Sequence, residues 1–373
     1  MTETKNPDTR ELLERILYFQ GNELPRLSKL GAYYMGKHPI LSGKAPASGA
    51  DNRLVNPFCR NITDCTVGYF MGKGVRYKAE QQTREMIRAV GLRNDERFAN
   101  SALARDLSVY GRAAELLWYD RIEDVRFTPL RPDTVFPIYA NSVDMPVTAA
   151  VRIWKDEKRD CLMAEYYDDG EIITYRHHGS ALVEEGRRQH FFGAVPILFY
   201  ENNREKMGDF EPVLTLVDAY DKLQSASVND FELFADSYLA ISGMGGTTAE
   251  DLAQIRRDRV ILLDEGGQAQ WLTKSVNDAS IEHLKARIAR DIYRFSGTVD
   301  MAEEMRSGFS VSGTAIHYRL VNFENRVAVM EQYFRRSLHE RWRLICGVRN
   351  MMGGKYNAES IEMEFPRNMP EAE

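Results

Sequence analysis

An α+β fold is the class this sequence predicts, and three observations predict it. Between residues 110 and 200, apolar and polar residues alternate in short runs separated by turn residues, the period-two pattern of half-buried strands. Before and after that section, apolar residues recur at spacings of three and four, the period of an amphipathic helix. The last such run, within 311–350, keeps its period over about 35 residues and would be about 50 Å long at a rise of 1.5 Å per residue. Few helices of globular domains are that long.

The chain of 373 residues is large enough for two or three cores. Its 43% hydrophobic and 28% charged content is ordinary for a folded soluble protein. No apolar run reaches membrane-spanning length, and MTETKNPDTR lacks the apolar core of a signal peptide, so no membrane partner is expected. Cys59, Cys65, Cys161 and Cys346 form no CxxC pair, which favours reduced thiols in a cytoplasmic setting. A net charge of −6 argues against a tight, static grip on DNA. Loose or local contact stays open.

In chain order, Leu12, Leu13, Ile16, Leu17 and Phe19 mark a first helix, and Pro25 opens a second with Leu27, Leu30, Tyr33 and Tyr34. The polar loop Gly36–Asn52 is expected to be exposed. Leu54, Phe58, Ile62, Cys65 and Tyr69 keep helical spacing until Gly72 and Gly74, before a strand Val75–Tyr77. Residues 82–108 read as a helix interrupted at Gly91. Strands follow in AAELLWYD, VRFTPL, TVFPIYA, PVTAAVRIW, CLMAEYY, EIITYRH and VPILFY.

Helical period returns over Glu211–Ile241, with an apolar face running from Val213 to Tyr238 and a polar flank of Asp218, Asp221, Glu232 and Asp236. Ser225 and Asn229 lie between these acids. Residues 242–277 read as a compact insertion with a helix at Ala249–Arg256 and strands at Arg259–Leu263 and Ala269–Leu272. The next helix carries Ile281, Leu284, Ile288, Ile292 and Phe295 on one face and a basic stripe of His283, Arg287, Arg290 and Arg294 opposite. That stripe can line a channel or meet a neighbour's acids; its plain reading is a solvated helix face. The loop Thr298–Ser310 breaks the period, and the long helix then carries Ile316, Leu320, Phe323, Val327, Met330, Phe334, Leu338, Trp342 and Ile345.

No enzyme is legible. SGMGGTT at 242–248 lacks the spacing and lysine of a phosphate loop. His177, His178 and His190 come without an HExxH or a cysteine pair. Asp168-Asp169 sits at a turn, and Asn61-Ile62-Thr63 falls on a helix. No catalytic residue, metal site or cofactor is therefore expected.

Several short motifs resemble the portal proteins of tailed bacteriophages, of the type found in siphoviruses of Gram-positive hosts. That family carries N-x-L … R-x-I-x-D … G-Y, then G-K and a strand. Asn52, Leu54, Arg60, Ile62, Asp64, Gly68, Tyr69, Gly72 and Lys73 match it, while Gly74 stands where members often have proline. YGRAAELLWYD, AVPILFYENN and Asp218-Ala219-Tyr220 also resemble the family. The most telling run is RSGFSVSGTAIHYRL, where Ser312, Gly313, Ala315, Tyr318 and Leu320 carry the S-G-x-A-x-x-y-x-L motif that opens the family's long helix. The resemblance covers about residues 30–368.

It implies a portal fold: a helical/β wing (1–210), a long-helix stem (211–241 and 280–297), a small αβ clip (242–279), a tunnel loop (298–310) and a long wing helix (311–350). Residues 351–373 would be a tail leading to an absent crown. It further implies a ring, usually of twelve subunits, at one capsid vertex of the virion, assembled in the host cytoplasm. Double-stranded DNA would pass through it during packaging and ejection. The terminase large subunit, head-completion or tail-adaptor proteins, and the major capsid and scaffold proteins would be its partners. In the tunnel loop, Met301 and Phe309 would offer apolar contact, Arg306 a lone cation, and Glu303 and Glu304 would repel phosphates. His283, Arg287, Arg290 and Arg294 would pair with Asp218, Asp221, Glu232 and Asp236 of a neighbour, or line the channel wall. Two alternatives remain: an α+β hydrolase acting on nucleic acid, or a capsid adaptor that forms no DNA channel.

Overall fold

The computed structural model describes residues 7–43, 50–119, 121, 124–235, 238–242, 248, 250, 268–272, 278–300 and 313–369, with 233–235, 238–242, 268–272, 278 and 313–319 described as backbone only. Two compact units result: 1–37 with 57–215 and 291–373, and 38–56 with 216–290.

The first unit is built on the last long helix. Helices α1 (Thr9–Tyr18) and α2 (Leu24–Tyr34) are joined by a π-helical turn, Phe19–Glu23, so the expected break before Pro25 does not occur. Proline at the first turn lacks an N–H that would be unsatisfied there anyway. Helix α3 spans Phe58–Met71 and starts only after Pro57, so Leu54 lies outside it. Strand β1 (Arg76–Lys78) leads to α4 (Gln81–Arg93) and α5 (Glu96–Tyr110).

The break between α4 and α5 falls at Asn94 and Asp95, where Asp95 adopts φ 45°, and not at Gly91. Gly91 lies inside α4, where a Cβ would meet Glu96 Oε2 at 2.8 Å, so the Glu96 carboxylate would have to shift. Gly111, at φ 77°, ends α5 in the left-handed region, and a side chain there would collide with the Lys206 carbonyl.

Strands β2 (Arg112–Tyr119), β3 (Val125–Leu130) and β9 (Ile197–Glu201) form a three-stranded sheet in the order β3-β2-β9. Strands β4 (Val135–Tyr139), β5 (Val147–Asp156), β6 (Cys161–Tyr167), β7 (Glu171–His178) and β8 (Ala181–Gln189) form a five-stranded antiparallel meander in sequence order. One face of the meander carries Val151, Ile153, Ala164, Ile173 and Tyr175 against Leu12, Leu13, Ile16 and Phe19. Its other face carries Ala150, Tyr167 and Ile172, which pack with Ala114 and Ile197 of the smaller sheet. Strand β8 escaped the sequence reading because Leu182 alone of its residues is buried. Pairing to β7 and ion pairs such as Arg187–Glu171 and Arg176–Glu185 hold it.

The last long helix, α8, runs Gly313–Met351, 39 residues; helices α6 and α7 precede it and are described below. Leu320, Phe323, Val327, Met330, Phe334, Leu338, Trp342 and Ile345 are all at or below 8% exposure, so the expected apolar stripe is a core element of its own unit. Ile316 lies where only the backbone is described. Trp342 meets the Tyr77 ring edge-on at 5.5 Å, and Phe334 meets Phe70 and Tyr200. Arg341, fully buried, forms a two-pronged pair with Glu115 at 2.7 and 2.8 Å, donates to Asn100 Oδ1 at 2.9 Å, and stacks over Phe127. Tyr200 donates to the same carboxylate at 3.1 Å.

The segment after α8 is not a loose tail. Strand β12 (Glu362–Glu364) pairs antiparallel with β1, and Ile361, Met363 and Phe365 alternate into the core. Arg367 then binds Glu324 at 2.8 Å and Glu331 at 2.8 Å. The expected 351–373 tail thus contributes a strand and three core residues to the unit.

The second unit contains most of α6 (Leu214–Ala235), strands β10 (Tyr238–Ser242) and β11 (Gln268–Leu272), and α7 (Asp278–Ser296) up to residue 290. The helix expected to reach Ile241 therefore ends at Ala235, and Tyr238 belongs to a strand. A five-residue run rich in aromatic and aliphatic side chains suits either period, and antiparallel pairing with β11 decides it. Strand β11 falls where a strand was expected. The expected helix at Ala249–Arg256 and strand at Arg259–Leu263 lie outside the described residues.

Candidate functional site

The elements expected to carry function are α6, α7 and the loop between α7 and α8. On α6 the polar flank is not an open acidic face. Residues 52–56 run extended and antiparallel to the helix, and every second backbone N–H is received by a helix side chain. The Asn52 amide donates to Asn229 Oδ1 at 2.7 Å, Leu54 to Ser225 Oγ at 2.9 Å, and Asn56 to Asp221 Oδ1 at 2.8 Å. The register is physical: two extended residues advance about 6.7 Å, close to the about 6 Å of four helical residues. A segment outside any sheet needs acceptors for its amides, and the i, i+4, i+8 set Asp221, Ser225, Asn229 supplies them. The Asn52 and Asn56 side-chain amides donate to the same acceptors, each at 2.9 Å.

Asp221 is the centre of this arrangement. It is 1% exposed, and its second oxygen lies 2.5 Å from Nδ1 of His38, which is 2% exposed. The expectation that Asp221 faces a neighbouring subunit or a channel is therefore corrected: its carboxylate is engaged inside its own unit. The 36–52 loop, expected to be exposed, is likewise anchored through buried His38 and Ala50, although residues 41–43 are exposed. Sequence reasoning missed His38, Asn52 and Asn56 as partners of α6. The four-residue spacing of Asp221, Ser225 and Asn229 was the available signal.

The other acids differ. Asp218 is half-buried and Glu232 exposed, beside Phe231 at 79% exposure. Asp236 lies outside the described residues.

On α7, His283, Arg287, Arg290 and Arg294 are all exposed. The opposite face is only partly covered. Ile292 is fully buried and Ile281 and Ile288 half-buried, but Leu284 is 45% and Phe295 59% exposed. Arg294 lies over the Phe295 ring at 5.8 Å. The tunnel-loop residues Met301, Glu303, Glu304, Arg306 and Phe309 lie outside the described residues.

Other candidates resolve into structure. Asp168 accepts the amides of Gly170 and Glu171, closing its turn. His190 bonds the Asp168 carbonyl at 3.0 Å, and burial pushes its imidazole below its ordinary value. His178 pairs with Ala181 at the far end of the β7–β8 hairpin, so the three histidines do not converge. Among the described residues no group of three or more metal-binding side chains exists, and no helix is long and apolar enough to cross a membrane. Burial raises the Cys65 thiol and pushes that of Cys346 up to about 11.

Known proteins share this architecture. Residues 13–373 match the family model described as phage portal protein, SPP1 Gp6-like. The portal protein of Clostridium phage phiCD119 is 22% identical over 378 residues, spanning 91% of this chain and 81% of that protein. The portal protein of Bacillus phage SPP1 is 20% identical over 339 residues, spanning 85% of this chain and 67% of that one. Two solved structures, the neck of an empty GTA particle computed with C6 symmetry and the neck of a native GTA particle computed with C12 symmetry, each give a TM-score of 0.53 at 12% identity. Each covers 91% of this chain and 83% of the solved one. The order of elements, the 39-residue helix and a family match over nearly the whole sequence agree, and the chain belongs to the phage portal protein family, SPP1 Gp6-like.

Proposed function

We propose that copies of this chain close into a ring at a capsid vertex, with double-stranded DNA passing through its centre during packaging and ejection. The observation that carries this reading is the family match over residues 13–373, supported by the succession of α6, a strand pair, α7 and the 39-residue α8. In this reading the first unit is the wing, α6 and α7 form the stem, and β10 and β11 belong to the clip. Twelve copies would make the ring, in keeping with the C12 symmetry used for one of the similar neck structures.

The clip would receive the terminase large subunit during packaging and head-completion or adaptor proteins afterwards. Major capsid and scaffold proteins would surround the wing. The role is structural, and nucleotide hydrolysis would belong to the terminase motor.

Along the stem, exposed His283, Arg287, Arg290 and Arg294 would meet Asp218, Glu232 and Asp236 of the next subunit, a contact between two different patches of one chain. Met301, Glu303, Glu304, Arg306 and Phe309 would project into the channel, where few cations and two carboxylates per subunit suit sliding better than gripping. Negative-stain microscopy of the purified chain tests the reading. A ring with a hole wide enough for duplex DNA supports it, and a compact particle without a hole overturns it.

A further inference from the structure

The first unit carries two exposed features that match each other. One is a groove of about 390 Å³ between α4, the start of α5 and β1, floored by Val75 and Ile87 and bordered by Arg84, Arg88, Leu92 and Arg97. Arg84 and Arg88 stand four residues apart on α4, where like charges repel. None of these three arginines has a side-chain hydrogen bond or ion pair among the described residues. Leu92 is 84% exposed at the groove's edge. Of the groove's two acids, Glu96 is turned inward, bonded to Tyr77 and Asn100, and Asp95 alone faces outward. The groove is therefore cationic with an apolar floor.

The second feature is the tip of the β4–β5 hairpin. Residues 141–146 are all exposed; Val143 is at 104% and Met145 at 56% exposure, with Asp144 between them. The tip is pre-shaped: the Met145 amide donates to the Ser142 carbonyl at 3.2 Å, and the Ala140 amide to the Pro146 carbonyl at 2.9 Å. It presents an apolar–acidic–apolar triplet, the chemical complement of a basic groove with an apolar floor. A pre-shaped loop loses little conformational freedom on docking.

We infer that the β4–β5 hairpin tip of one subunit docks in the α4–α5 groove of the next, with Asp144 among Arg84, Arg88 and Arg97, and Val143 and Met145 against Leu92 and the groove floor. The contact is heterologous, so repeating it around an axis either closes a ring or builds an open chain. It rests on the ring reading above and adds a wing-level contact to the stem contact proposed there. Association that depends on such charge pairs is expected to weaken with salt.

Native mass spectrometry of the full chain at fixed concentration and salt tests the contact with Asp144→Arg, Arg88→Glu and the double variant. Both side chains are exposed, so the variants fold, which a thermal melt checks. The contact predicts that each single variant lowers the ring fraction, Asp144→Arg by about tenfold or more. The double variant loses less than the two single losses combined, since the arginine introduced at 144 gains the glutamate introduced at 88 but still faces Arg84 and Arg97. A second measurement mixes Val143→Cys chains with Leu92→Cys chains. A disulfide between the two introduced thiols, mapped by peptide mass spectrometry, is expected. Wild-type rings with unaffected single variants and no such disulfide overturn this contact and leave the ring reading standing. A wild-type chain that stays monomeric overturns both.

Discussion

At the scale of single residues, two buried carboxylates decide more than the exposed charges do. Glu115 and Arg341 are both fully buried, with every prong of the guanidinium engaged. Removing one partner of such a pair strands the other without solvent or counter-charge. Arg341→Met should therefore destabilise the protein by about 3–5 kcal/mol, measured as a lower midpoint of urea unfolding; a loss below 1 kcal/mol would contradict the network's role. Nothing in the sequence marks Arg341 apart from its neighbours Arg343 and Arg336, since its helical position lies beside the apolar stripe and the acid it needs is 226 residues away. The same limit hid Asp221, whose partner His38 comes from a loop that reads as solvated and whose partner Asn56 comes from a stretch that reads as helical.

Asp106 supplies a pH dependence. It is 4% exposed, and burial, opposed by Arg105, pushes its carboxyl up to about 6. The native state thus holds this proton more tightly than the unfolded chain, whose aspartates titrate near 3.9. Below about pH 4 both states are protonated and the group is neutral to stability. As pH rises from about 4 to about 6 the unfolded chain gives up its proton while the native state keeps it, so stability falls until the native carboxyl also ionises at about 6. Relative to Asp106→Asn, the wild type should lose up to about 3 kcal/mol between about pH 4 and pH 7. Urea midpoints across that range check it; parallel pH profiles for the two proteins would contradict it.

At the scale of elements, periodicity carried α1 to α5 and α8 because each buries an apolar face, while that of α7 is only partly covered. The apolar stripe of α8 is legible from Leu320 to Ile345, and the structure buries each described member of it. Strands were legible where residues alternate, as in β5 and β6, and lost where pairing alone holds them, as in β8. Element ends were less legible. Asn94 and Asp95 end α4 although Gly91 carries the stronger turn signal: Gly91 stays inside the helix, and the chain turns where Asp95 adopts a left-handed φ of 45°.

The extended 52–56 segment was beyond reach of any local period, since its acceptors sit on α6, more than 160 residues away. That arrangement makes an alternating prediction. In hydrogen exchange, the amides of Asn52, Leu54 and Asn56 should be protected, and those of Arg53 and Val55 should exchange faster. Uniform exchange across the five amides would contradict it. Leu54→Pro, which deletes the N–H received by Ser225, should cost about 1–3 kcal/mol.

At the scale of the whole molecule, the charges of α6 and α7 were legible as stripes, yet sequence could not separate those facing outward from those used within the chain. The structure removes Asp221 from the outward set and leaves His283, Arg287, Arg290 and Arg294 exposed. Reversing Arg287 and Arg290 to glutamate together should lower the ring fraction by about tenfold at low salt, with a smaller effect at high salt where exposed charges are screened. Equal assembly of variant and wild type would contradict the stem contact.

In the proposed ring this chain works as one of many copies around an opening. Native mass spectrometry of the wild-type chain, paired with negative-stain images of the same sample, tests it most directly. A closed ring of about twelve copies with a central hole that admits duplex DNA is expected. A single compact particle that stays monomeric as its concentration is raised would contradict it.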